Sequence, residues 1–152
     1  MDIEEQYDKI YRYCYFKLYD KHTAQDITQE AFLRFYKQKL SLDKSSELPY
    51  LYTIAKNLCV DAFRKKTYEN ADDLEQPKKS ADPSEGWTNN LAIRAAVAKL
   101  PNEEQEVLFL RYVNDESLSY ICRITGLSRF SVYRRLKKAL NTMKKELMKE
   151  GF

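Results

Sequence analysis

Residues 128–149 hold eight cations against a single anion, Glu146, a net of +7. On a helix, like charges three or four residues apart repel. A face that is merely solvated mixes its signs. Arg129, Phe130, Tyr133, Arg134 and Lys137 fall on one side of such a helix. Val132, Leu136, Ala139 or Leu140, Met143 and Leu147 fall on the other and form an apolar stripe. A cationic face carrying two rings fits insertion into a DNA major groove. The first residues would reach base edges, and the later cations would meet phosphates. The alternative is a solubilising helix in an all-α bundle.

A second cluster lies upstream. Lys56, Asn57, Arg64, Lys65 and Lys66 follow Tyr50 and Tyr52. Cations interleaved with rings suit unpaired nucleic acid, because bases stack on the rings while cations follow the backbone. Tyr52 could equally belong to the core. A third cluster, Asp26, Gln29 and Glu30 beside Phe32 and Leu33, is a polar edge next to apolar residues. It could dock a partner helix. Read alone, ordinary surface acids over apolar packing account for it more simply.

Other chemistry has little to work with. There is one His, three Gly and four Pro. A His relay, a catalytic triad or a glycine-rich phosphate loop is therefore not expected. Cys14, Cys59 and Cys122 stand far apart with no C-x-x-C pair, so a disulfide framework or zinc site is not expected either. They read as small buried apolar residues. No nucleophile–base pair stands out and no cofactor is called for, so the expectation is a protein that is not an enzyme. The chain opens on the acidic Met1-Asp2-Ile3-Glu4-Glu5. No secretory signal is expected from it. No apolar run approaches the ~20 residues of a membrane span. A cytoplasmic protein without direct membrane insertion is the expectation.

The elements that must hold these clusters are all helical. Tyr7, Ile10, Tyr11, Cys14, Tyr15 and Leu18 recur at three and four. Residues 24–40 repeat the pattern, with Thr23 as the expected N-cap. Leu51, Ile54, Ala55, Leu58, Cys59 and Ala62 mark a third helix, with Pro49 near its first turn. It ends on Arg64-Lys65-Lys66, cations where a helix C-terminus favours them. Residues 67–90 hold few apolar side chains and two prolines, and read as a linker with Trp87 docked on a domain surface. Helices resume at 91–100, from 102 with Asn102 and Gln105 as a capping box, at 117–124 and at 129–149. No strand is expected.

Net charge is +3 over 152 residues, too small to mean much. By segment, residues 1–66 carry +2, residues 67–90 carry −4 and residues 91–152 carry +5. Two basic helical modules joined by an acidic tether are implied. Around Gly126 the spacing is that of a helix-turn-helix: Ile121 and small Cys122 before it, Leu127 after it, then Val132 and Leu136. Such a crossing needs a small residue, a Gly free to take positive φ, and apolar residues pinning the second helix. Ser128 would cap that helix. Thr125 is more polar than the pattern expects.

Together these segments resemble an extracytoplasmic-function (ECF) sigma factor of the sigma-70 family, the small two-domain promoter-recognition subunit of bacterial RNA polymerase. Residues 24–32 resemble region 2.2, residues 51–66 regions 2.3 and 2.4, residues 100–112 region 4.1, and residues 118–139 the region 4.2 helix-turn-helix. The resemblance implies an all-α fold of two domains, residues 1–66 (region 2) and 91–152 (region 4), joined by a flexible acidic linker at 67–90. It implies core RNA polymerase as partner, through the β′ clamp helices and the β flap, with promoter DNA and an anti-sigma factor.

By matching position, Asp26, Gln29, Glu30 and Leu33 would meet the polymerase. Tyr52, Lys56, Asn57, Arg64 and Lys65 would meet the −10 element. Ser128, Arg129, Phe130, Ser131, Tyr133, Arg134 and Lys137 would face the −35 duplex. There are departures. Tyr50 stands where Trp is common, and Ile121-Cys122-Arg123 replaces a Glu-Ile-Ala register. Phe130-Ser131 replaces Gly-Thr, so the family's −35 sequence is not implied. Two other functions fit parts of the pattern. One is a sigma-like activator, which needs no clamp-docking motif at 24–36. The other is a helical adaptor that binds only proteins, which leaves the +7 helix unexplained.

Overall fold

The computed structural model describes residues 2–38, 41–69, 90–149 and 151. Trp87 and most of the expected linker lie outside them. The fold is all-α, and no strand occurs among the described residues. The chain divides into two compact units, Met1–Ser80 and Ala81–Phe152. No helix among the described residues is long and apolar enough to cross a membrane.

The first unit packs three helices pairwise: α1 (Ile3–Leu18), α2 (Lys21–Gln38) and α3 (Lys44–Glu69). Asp2 caps α1, its carboxylate accepting from the Glu4 N–H at 3.3 Å. Tyr19 then takes φ 53°, in the left-handed region, and turns the chain. The expected Thr23 cap is corrected. The Asp20 carboxylate accepts from the Thr23 N–H at 3.3 Å and α2 starts at Lys21. Asp43 likewise accepts from the Ser46 N–H at 3.1 Å, so α3 starts earlier than expected and Pro49 lies inside it. Proline so placed leaves one carbonyl of the preceding turn without its helical donor. Ile10, Tyr13, Cys14, Ala24, Ala31, Leu51, Tyr52 and Ala55 form the core. The Tyr13 and Tyr52 rings meet edge-to-face, 5.4 Å between centroids at 87°.

The second unit holds α4 (Leu91–Ala98), α5 (Asn102–Tyr112), α6 (Leu118–Thr125) and α7 (Arg129–Lys149). Asn90 caps α4, accepting from the Ala92 and Ile93 N–H groups at 3.0 and 3.2 Å. The expected capping box on α5 does not form. Pro101 occupies the N-cap without a side-chain bond. Gln105 instead donates through Nε2 to the Leu100 carbonyl at 2.8 Å. Val107, Leu108, Phe109 and Leu110 of α5 are buried together with Ile121, Val132, Leu136 and Ala139, and α5 packs against both α6 and α7. Each of these Val, Leu, Ile and Phe side chains contributes roughly 1.5–3 kcal/mol by leaving water.

Lys99 reaches across to Glu146 of α7 at 2.7 Å, with Lys149 at 3.5 Å. The Lys99 hydrogen bond, stronger here than the opposing desolvation, holds the Glu146 carboxyl below the ordinary carboxylate range. A depressed carboxyl pKa adds stability above the unfolded value, and that stability fades as pH falls through the folded value. Glu146→Gln should therefore lower the melting temperature slightly at pH 7 and by less at about pH 3. Thermal melts of both proteins at the two pH values check this.

Candidate nucleic-acid interface

The crossing of α6 and α7 is built by backbone chemistry at four consecutive residues. Gly126 ends α6 at φ 77°, its N–H donating to the Cys122 carbonyl at 2.9 Å. The polar Thr125 now has an explanation. Its hydroxyl donates to the Ile121 carbonyl at 2.7 Å and accepts from the Leu127 N–H at 3.3 Å. One side chain thus ties both sides of the turn. Ser128 caps α7, its hydroxyl accepting from the Ser131 N–H at 3.1 Å. The helix then starts at Arg129. Ile121, Val132, Leu136, Ala139 and Met143 are buried and pin it. The choice left open between Ala139 and Leu140 falls on Ala139, since Leu140 is exposed. Cys14 and Cys59 are buried as expected, while Cys122 is only partly covered.

With that stripe fixed, the opposite face is set by helix geometry. Arg129, Phe130, Tyr133, Arg134, Lys137 and Lys138 are all exposed. Phe130 is 75% exposed and Tyr133 60%. Ser128 is exposed and Ser131 partly so, both at the start of the same helix. Arg135 lies off this face. It is half-buried, pairing with Glu103 at 2.7 Å and donating to the Ser131 hydroxyl at 3.2 Å. Among the described residues, Arg129, Arg134, Lys137 and Lys138 make no ion pair. Their field is therefore directed outward, not spent within the unit.

In the first unit, Asp26, Gln29, Glu30 and Leu33 share one stripe of α2 at helical spacing. Asp26, Gln29 and Leu33 are exposed, and Glu30 is partly covered. Glu30 pairs with Arg34 at 2.9 Å. Leu33 is 59% exposed and Tyr36 extends the stripe. Ile27, Thr28, Ala31 and Phe35 face the core instead.

On α3, Asn57, Arg64 and Lys65 are exposed and Lys56 is partly covered. Tyr52 is a correction. It is fully buried against Tyr13, so no base can stack on it in this conformation. Among the described residues of this helix, the exposed ring is Phe63, 60% exposed, with Val60 beside it. Sequence reasoning passed over Phe63. Its signal was a Phe standing just outside the apolar stripe and immediately before Arg64-Lys65-Lys66.

Residues 3–69 match the family model of Sigma-70 region 2, and residues 90–143 that of Sigma-70 region 4. The whole chain is similar to the ECF RNA polymerase sigma factor SigW of Bacillus subtilis (strain 168), with 32% identity over 96% of this chain and 87% of that one. The chain belongs to the ECF sigma factors of the sigma-70 family. This sigma factor is also 29% identical to ECF RNA polymerase sigma factor SigM of the same organism, over 94% of this chain and 95% of that one. Its fold is shared with the sigma factor RpoE solved in complex with the anti-sigma factor NepR from Bartonella quintana. That match has a TM-score of 0.73 and 18% identity, covering 94% of this chain and 92% of that one. As a sigma factor, the chain directs promoter recognition and transcription initiation by RNA polymerase.

Proposed function

We propose that this sigma factor holds three surfaces at once. The exposed stripe of α2, Asp26, Gln29, Glu30 and Leu33, docks on the β′ clamp helices of core polymerase. The exposed end of α3 meets the −10 element. Asn57 contacts a flipped base, Lys56, Arg64 and Lys65 follow the backbone, and Phe63 takes the stacking role first expected of Tyr52. Helix α7 lies in the major groove of the −35 element, with Ser128, Arg129, Phe130, Ser131, Tyr133, Arg134 and Lys137 toward the duplex. Residues 1–66 and 91–152 act as the two modules and residues 67–90 as their acidic tether. A tether makes the second contact effectively intramolecular, so two weak contacts hold together.

The observation that carries this reading is the outward cationic and aromatic face of α7, set on a capped helix-turn-helix. The chain supplies contacts in the cytoplasm, and the polymerase, gripped also through its β flap, supplies the chemistry. The RpoE relative was solved with an anti-sigma factor, NepR. An anti-sigma protein is accordingly part of the proposal. Run-off transcription with purified core polymerase tests the whole. A promoter-specific transcript is expected, and its absence on every genomic template would overturn it. Asp26→Ala tests the docking stripe. Core polymerase binding should weaken by about 1–2 kcal/mol, five- to thirtyfold, with binding to a −35 duplex unchanged. Titration of labelled core polymerase and of labelled duplex measures both, and the opposite pattern would contradict the assignment.

A further inference from the structure

We infer that Phe130 reads a thymine: its ring packs on the C5 methyl of one thymine at the major-groove edge of the −35 element. The inference rests on the placement of α7 just proposed and adds a base identity to it. Ser128 is the N-cap and Arg129 the first residue of α7. Phe130 therefore sits in the first turn, the end of a recognition helix that reaches base edges. The ring is 75% exposed and lies opposite Val132 and Ala139, which are fully buried.

Its neighbours on that face decide what covers it. Tyr133, Arg134 and Lys137 share the face. An apolar protein surface placed over Phe130 would strip water from those cations without repayment. A polyanion with an apolar spot at base depth meets both demands. On the major-groove edge, guanine offers acceptors, cytosine a donor and adenine one of each. Thymine alone presents a methyl group. A phenyl ring can neither donate to nor accept from the other groups, and a phosphate offers it nothing. Tyr133 differs because its hydroxyl still has polar partners to choose from.

The test uses holoenzyme assembled from the full chain and core polymerase, on a promoter duplex taken from a run-off template. Every thymine of the −35 element, on both strands, is replaced singly by deoxyuridine, which lacks only the methyl. Fluorescence anisotropy reads the affinity. One position should weaken wild-type binding by about fourfold, the loss of one buried methyl. Phe130→Ala should weaken binding to the unmodified probe at least as much and be indifferent to that deoxyuridine. Phe130→Leu should keep part of the penalty. The exposed ring makes folding damage slight, and matching circular dichroism melts verify that. The inference is overturned if no deoxyuridine matters, or if Phe130→Ala keeps the same penalty at the same position. Failure of the wider reading differs: Arg134→Ala and Lys137→Ala holoenzymes would then bind the probe as tightly as wild type.

Discussion

Affinity of the full chain for a −35 duplex should fall on the order of a hundredfold between 50 and 200 mM salt. The cations responsible make no ion pair among the described residues. Arg129, Arg134, Lys137 and Lys138 stand exposed along α7. Each phosphate they neutralise releases condensed counterions. The logarithm of the binding constant then falls with that of salt concentration, with a slope of roughly −0.9 per phosphate. Four such contacts give a slope near −3.6, and a fourfold rise in salt gives the loss stated. Lys137→Ala should shallow the slope by about 0.9. Arg135→Ala should leave the slope almost unchanged, because Arg135 is turned to Glu103 at 2.7 Å. Its loss should register as stability. A flat salt response in the wild type would show that α7 is a solvated face and not a DNA face.

That contrast between Arg135 and its neighbours marks what a sequence can and cannot disclose. The span of α7 was legible because three signals coincide: a Ser at the cap, a Gly before it, and an apolar stripe of one period. Periodicity already put Arg129, Arg134 and Lys137 on the outer face; the partner that holds Arg135 was not legible. Arg134 and Arg135 differ by one residue, and only the placement of α5 brings Glu103 to the second. The caps of α2 and α5 failed for a related reason. Thr23 and Asn102 are good cap residues, but Asp20 and Pro101 lie where the chain leaves the preceding turn. Capping depends on extended backbone at the cap as much as on residue type. Thr125 looked misplaced beside Gly126 because its hydrogen bonds are to backbone atoms, which no residue pattern displays.

The role proposed for the α2 stripe rests on resemblance, because the residues alone gave only a weak docking signal. Asp26, Gln29 and Leu33 are ordinary residues at ordinary helical spacing. What distinguishes them in the structure is that Leu33 is left uncovered while Phe32 and Phe35 are buried beside it. Exposure of a large apolar residue next to acids is a property of packing, and a periodicity argument on one helix does not contain it.

Tyr52→Ala should cost the first unit about 3–5 kcal/mol of stability, whereas Phe63→Ala should cost it almost none. Eleven residues separate the two rings, close to three full turns, so they lie on nearly the same face of α3. Periodicity therefore treats them alike. The difference is burial, which the periodicity of one helix does not contain. Tyr52 is walled in by Tyr13 of α1, and Cys59 is still buried. Phe63 is 60% exposed. Removing a buried ring loses its transfer energy and leaves a cavity, and a loss of that size is a large part of a small unit's total stability. Removing the exposed ring should instead weaken binding to single-stranded −10 DNA by ~1–3 kcal/mol, the worth of one stacked base. Urea unfolding of the full chain, followed by circular dichroism, measures the first effect. Holoenzyme binding to a fluorescent −10 strand measures the second. If Tyr52→Ala kept full stability while losing −10 binding, base stacking would return to Tyr52. The exposed end of α3 would then need another occupant.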